Sequence, residues 1–175
     1  MTAKVFKAYD EQLKEPVALK VLNTKCASAF TNRSKDFFDN EVSALEKLKP
    51  HENVVRVIQY GKSKMQLTEN SIEECQFIAL QYIDGVELID FLSCKGALSE
   101  AVACSIFKQI ASGLMHIHSS GLVHRDIKSD NIVISSDCKP HLVDFGFASS
   151  CKGELENGMF TSRVGTPSYM APEML

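Results

Sequence analysis

His124-Arg125-Asp126-Ile127-Lys128-Ser129-Asp130-Asn131 is a run of eight mostly polar or charged residues set between two apolar runs, residues 114–123 and 132–134. Such a burst between apolar neighbours reads as a loop carried on a packed scaffold, the usual setting of catalytic side chains. Thirteen residues after Asn131 stands Asp144-Phe145-Gly146, preceded by the short apolar run Leu142-Val143. The loop supplies an acid, a lysine and an amide, and the second run ends in another acid. That set suits phosphoryl transfer. Asp126 can orient a hydroxyl and accept its proton, Asn131 and Asp144 offer hard oxygen ligands to Mg²⁺, and Lys128 can hold charge developing on the transferred group. The plainer alternative is a polar surface loop whose Asp and Asn make local turns.

The order H-R-D-x-K-x-x-N followed by D-F-G resembles the protein kinase family. A lone D-F-G recurs by chance, whereas the two motifs at this distance form a specific pattern. The resemblance implies an α+β, bilobal fold: a small β-rich lobe with one main helix, and the first half of a mostly helical large lobe. It also implies ATP and Mg²⁺ as cofactors and protein substrates bearing Ser or Thr.

The bulk properties agree. The chain has 175 residues, enough for one domain with a sizeable core, and 45% hydrophobic with 23% charged residues is ordinary for a globular protein. A net charge of -3 argues against a nucleic-acid-binding surface. No apolar run approaches about 18 residues, so no membrane span is expected. Residues 1–10 contain no apolar signal-peptide core. The six cysteines are scattered, with no C-x-x-C pair, as in reduced thiols of a cytoplasmic protein.

From the N-terminus, residues 4–9 and 16–22 read as antiparallel strands joined by a polar turn. A lysine inside the second strand belongs on a solvent face by default. Val17-Ala18-Leu19-Lys20, however, is similar to the kinase V-A-I-K strand, whose lysine holds the α- and β-phosphates. The same resemblance makes Val5 and Ala18 the roof over an adenine ring. Residues 24–32 read as a loop. A helix is expected over 35–48, with Ser34 as N-cap and Phe38, Val42, Leu45 and Leu48 inward. Glu41 falls on that inward stripe and needs a partner there. Lys20 is the natural candidate, and a position at the edge of the stripe, reaching water, is the alternative.

Strands are expected over 54–60 and 77–83, with a polar connection over 62–74. The second ends at the turn signal Asp84-Gly85. By resemblance Leu80 guards the back of the nucleotide pocket, and the backbone of residues 81–83, from Gln81 to Ile83, reads the adenine edge. The same resemblance adds Glu87 and Val133 to the nucleotide site. A short helix follows over 87–93. Ser99 then caps a longer one, in which Ala103, Ile106, Phe107, Ile110, Leu114 and Ile117 form a clean apolar stripe. His116 and His118, two apart, point to different faces and are read as structural.

Residues 147–161 are rich in Ser, Gly and charge and are expected to be mobile. They lead to Gly165-Thr166-Pro167-Ser168-Tyr169-Met170-Ala171-Pro172-Glu173, which resembles G-T-P-x-Y-x-A-P-E of serine/threonine kinases. In that reading Thr166 bonds Asp126 and Lys128 and joins them as a catalytic residue. Arg125 is expected to pair with a phosphate on Ser162, or else on Thr161, placed there by an upstream kinase or by autophosphorylation.

The resemblance spans the chain but not the whole family fold. Of the glycine-rich G-x-G-x-x-G-x-V loop only Thr2-Ala3-Lys4-Val5 is present, with Ala3 where the last Gly would stand. The expected organisation is a partial domain, residues 1–83 from the small lobe and 84–175 from the large one, with further helices expected after Leu175 to cover the long apolar stripe. Two other functions compete: a pseudokinase or scaffold module, supported by the lost glycines, and a small-molecule kinase of related fold. The presence of Lys20, Asp126, Asn131 and Asp144 together argues against the first. The T-P-x-Y-M-A-P-E stretch argues against the second.

Overall fold

A computed structural model describes residues 3–23, 33–68, 71–150, 155–156, 159–160 and 164–174. Strands β1 (Ala3–Asp10) and β2 (Glu15–Asn23) form an antiparallel hairpin. Its turn is made by Asp10, whose Oδ1 accepts the backbone N–H groups of Gln12 (2.8 Å) and Leu13 (3.0 Å). An aspartate bonding its own following backbone is a common way to reverse a chain.

Helix α1 (Arg33–Lys47) crosses over to the sheet with Phe38 and Leu45 buried and Val42 and Leu48 packed beside them. Glu41 lies on the same face at 1% exposure, so the position at the edge of the stripe is excluded. The helix begins one residue before Ser34, which therefore lies inside its first turn and is not its cap. The loop expected over 24–32 falls outside the described residues.

β3 (Val57–Thr68) and β4 (Ser71–Gln81) form one long hairpin, and most of the stretch read as a polar connection is paired strand. The hairpin tip extends past the core, so Lys62, Ser63, Lys64, Gln66 and Glu74 all face water, and no apolar alternation marks the strand. Register is held instead by backbone pairing and by pairs such as Lys64 opposite Glu74. The four strands make one antiparallel sheet in the order β1-β2-β4-β3.

Past residue 84 the chain becomes mainly helical: β5 (Gly85–Glu87), α2 (Leu88–Lys95) and α3 (Glu100–Ser119). Glu87 ends β5, so the short helix starts one residue later than expected. Ser99 caps α3 through its side chain, accepting from Val102 N–H at 3.4 Å, and Gly121 turns the chain away at φ 73°. α3 packs on β6 (Leu122–Val123) and, after a 3₁₀ turn at Ser129–Asn131, on β8 (Pro140–Leu142), the partner of β7 (Ile132–Ser135). These strands bury Ile106 and Ile117 and half-bury Ile110 and Leu114, so the apolar stripe of α3 is mostly covered from within the chain. Phe107 and, off the stripe, Met115 each stay 71% exposed.

His116 Nε2 lies 2.8 Å from the Lys49 carbonyl, and its ring stacks on His51. In the segment expected to be mobile, β9 (Ser149–Ser150) pairs with β6, and β10 (Leu155–Glu156) pairs with β11 (Met159–Phe160). Residues 151–154, 157–158 and 161–163 lie outside the described residues. Among the described residues no helix is long and apolar enough to cross a membrane.

One continuous core links the sheet, α1 and the helical part, from Leu22 and Phe38 through Ile78 and Leu80 to Ile117, Leu142 and Phe145. The join is tight at Gly85, where a Cβ would fall against the Ile134 backbone carbonyl of the neighbouring strand β7. Gly85→Ala must push β5 off β7, and we expect it to lower stability by about 1–3 kcal/mol, the range for overpacking a tight site. Urea denaturation of the variant beside Gly61→Ala, whose added Cβ would meet the Phe77 ring at an ordinary 3.7 Å, checks this.

Candidate functional site

Strand periodicity builds the upper wall of the site. Ala3 and Val5 on β1, Ala18 and Lys20 on β2, and Leu80 on β4 all face the same side, because Lys20 pairs with Val5 and Ile78 and Ala18 pairs with Leu80. They line a cavity of about 410 Å³. Its far wall is Gln81, Tyr82 and Ile83 leaving β4, and its floor is Glu87, Asn131, Val133 and Asp144 from the helical part. Every residue expected at the nucleotide, from Val5 to Val133, opens onto this one space. The cavity also takes in Tyr82 of the expected hinge and Asp130 of the loop motif, together with Val55 and Val143, which were not expected there. Val143 could have been read from its place just before Asp144, while Val55 carries no such signal. The Gln81 N–H is already committed to the Arg56 carbonyl at 2.8 Å, so it is not among the hinge groups left for a ligand.

Lys20, 7% exposed, reaches two carboxylates: Glu41 Oε2 at 2.5 Å and Asp144 Oδ1 at 3.1 Å. Burial works to strip its proton, but the charges of Glu41 and Asp144 outweigh it and hold the ammonium pKa above its ordinary value. The strand, α1 and the segment after β8 are thus tied at one cation. Asp144 sits at φ 61°, an uncommon backbone state for a non-glycine residue and of a kind found at functional sites.

The loop below is braced from inside. His124 is 1% exposed and packs its ring on Phe145, with centroids 4.8 Å apart. Its Nδ1 accepts the Asp126 N–H at 3.3 Å, which leaves the proton on Nε2, 3.0 Å from the Val143 carbonyl. Burial pushes its pKa down, so the neutral ring that this bonding pattern requires is also the favoured one. Arg125 takes φ 65° and its Nε donates to the Phe147 carbonyl at 2.7 Å.

Asp126 is the hub. Its Oδ1 accepts from Thr166 Oγ1 (2.8 Å), and its Oδ2 accepts from Asn131 Nδ2 (2.8 Å) and faces Lys128 Nζ at 3.2 Å. Lys128 Nζ also donates to Thr166 Oγ1 at 3.0 Å, closing a triangle. Burial opposes the carboxylate, yet the bonds from Thr166, Lys128 and Asn131 prevail and keep its pKa below the ordinary value. At neutral pH Asp126 is ionised and aligned. Nearby, burial and then the charges of Asp90 and Asp130 push the Glu87 carboxyl up. Ser162 and Thr161, expected to carry a regulatory phosphate, lie outside the described residues, as does the side chain of Glu173.

Comparison with known proteins gives the same picture. CBL-interacting protein kinase 32 of Oryza sativa subsp. japonica is 31% identical over 173 residues, covering 99% of this chain and 37% of that protein. Serine/threonine-protein kinase pakA of Talaromyces marneffei is 33% identical over 171 residues, covering 98% and 24%. Maternal embryonic leucine zipper kinase of Xenopus tropicalis is 34% identical over 161 residues, covering 92% and 22%. The chain thus spans about a third or less of the length of these relatives. The family described as protein kinase domain matches residues 1–175, and the chain belongs to that family.

Proposed function

We propose that this chain transfers the γ-phosphoryl group of ATP to Ser or Thr hydroxyls of proteins. The observation that carries this reading is the triangle of Asp126, Thr166 and Lys128, which presents an ionised carboxylate beside a lysine on a threonine-anchored platform. Asp126 orients the incoming hydroxyl and accepts its proton as the new O–P bond forms. The bond between Pγ and the bridging oxygen breaks, and ADP leaves with the electron pair. Lys128 offsets charge on the transferred group, and Lys20 holds the phosphates that remain.

The donor set also fits Mg²⁺. Both bonds from Asn131 Nδ2 go to Asp126, to its carbonyl and to its Oδ2, so Oδ1 is the end it can offer a cation. Asp144 supplies a carboxylate whose side chain is 30% exposed. Among the described residues no group of three or more His, Cys, Asp or Glu could hold a metal alone. Magnesium typically binds through one or two protein oxygens with substrate phosphates, and a two-residue set suits that habit. When bound, the ion neutralises phosphate charge. Asp144→Ala is expected to weaken Mg²⁺-ATP binding by about 10–100-fold, the scale for disturbing a metal site, measured by calorimetry with and without Mg²⁺.

We place the protein in the cytoplasm on the scatter of its six cysteines, which form no C-x-x-C pair. The decisive experiment uses the full-length protein with radiolabelled ATP and peptide libraries whose acceptor is Ser, Thr or Tyr. Label on Ser and Thr peptides, absent with Asp126→Asn, is the expected result. Label on Tyr peptides alone, or none from a protein that binds ATP, would overturn the reading.

A further inference from the structure

Helix α1 carries Glu41, so the placement of Lys20 depends on how that helix is held. Along one edge the packing is thin. Between α1 and the edge strand β3 lies a cavity of about 350 Å³, whose lining includes Phe38, Val42, Glu46, Tyr60 and Lys62. At this cavity the Tyr60 hydroxyl donates to Glu46 Oε1. The bond to Glu46 raises the phenol pKa, so Tyr60 is a neutral donor at physiological pH.

Geometry makes this contact matter. Glu46 follows Glu41 by five residues, about 140° around the helix and about 7.5 Å along it. The ion pair to Lys20 therefore grips α1 under the sheet, and Tyr60 grips it at the sheet edge. Buried Phe38 and Leu45 seat the helix on the sheet, and the two polar grips on different sides of it fine-tune its rotation where the edge cavity leaves the packing thin. Neither Tyr60 nor Glu46 lines the nucleotide cavity. We propose that Tyr60 is a positioning residue for nucleotide binding: by holding Glu46 at the sheet edge it fixes the rotation of α1 and keeps Glu41 on Lys20. The inference rests on the kinase reading and adds a residue that touches neither substrate.

The test uses the full-length protein and measures the Kd of Mg²⁺-ATP, the KM of a peptide substrate and the Tm. Tyr60→Phe keeps the ring and removes the donor. It should weaken ATP binding about fivefold, the size of one ordinary hydrogen bond, with the peptide KM and the Tm little changed. Glu46→Gln, which still offers an oxygen, should retain most of the affinity. Tyr60→Glu sets two carboxylates against each other and should weaken ATP binding further. Adding Glu46→Lys to that variant should restore it. Equal ATP affinity in wild type and Tyr60→Phe, or no rescue by the charge swap, overturns the inference while leaving the kinase reading intact. A wild type that binds no ATP overturns both.

Discussion

Asp126→Asn is expected to lower the turnover of phosphoryl transfer by about 10²–10⁴-fold, the contribution of a positioned general base. The Kd of Mg²⁺-ATP should stay close to that of the unmodified protein, because Asp126 is not among the residues lining the nucleotide cavity. The fold should tolerate the change. An amide at this position can keep its oxygen toward Asn131 and Lys128 and turn its nitrogen toward Thr166, whose hydroxyl can accept as well as donate. What disappears is the negative charge that takes the proton. Calorimetric ATP binding beside a single-turnover assay separates the two effects, and a variant retaining most of its turnover would remove Asp126 from the mechanism.

The same carboxylate gives a pH signature. Its pKa is depressed in the folded chain, so its ionised form survives below the usual aspartate range. The stability it contributes is fully present above the ordinary pKa and is lost as pH falls through the depressed one. Thr166→Ala removes the strongest of the depressing bonds. It should shift the acidic limb of the pH–rate profile upward.

Lys20→Met carries the second large effect, this time on stability and nucleotide binding together. The substitution strands Glu41, a carboxylate at 1% exposure whose Oε1 already has no partner among the described residues. Breaking a buried ion pair from one side costs about 3–5 kcal/mol. Burial then leaves the Glu41 carboxyl well above its unfolded pKa. The unfolded chain releases that proton first, so the variant should lose stability as pH rises from the ordinary carboxylate range through the raised value. It should therefore resist urea better at pH 5 than at pH 8. The double change Lys20→Met with Glu41→Leu removes the stranded charge and should regain most of the stability without regaining ATP binding. Equal stability of Lys20→Met and the unmodified protein at pH 8 would show that the pair is not a buried ionic contact.

The residues gathered at the cavity were legible because each breaks a local rule. Lys20 interrupts an apolar strand, Glu41 sits on an apolar helix face, and Asp126 to Asn131 interrupt an apolar stretch. Each conflict is resolved by a partner far away in sequence, and the placement of α1 against Lys20 resolves the first two at once. Features that break no rule stayed hidden. The β3–β4 hairpin has water on both faces beyond the core, so its strands carry no period to detect. Strand β5 is three residues long, and its pairing with β7 is a matter of tertiary placement. Val55 lines the cavity through the path of the backbone, which composition does not encode. α1 starts two residues earlier than expected because helix ends depend on cap geometry more than on residue type.

Lys20 and Asp144 are bonded across 124 positions of chain. A ribosome adding about 5–20 residues per second would take about 6–25 s to bring the second after the first. During that interval a nascent chain can pair Lys20 with Glu41, only 21 positions on, but cannot close the third corner. The cation cradle is thus completed after the sheet, since non-local contacts must bear their loop-closure entropy before any bond rewards them. A nascent chain arrested before Asp144 should therefore display a ready small sheet with an incomplete cation cradle.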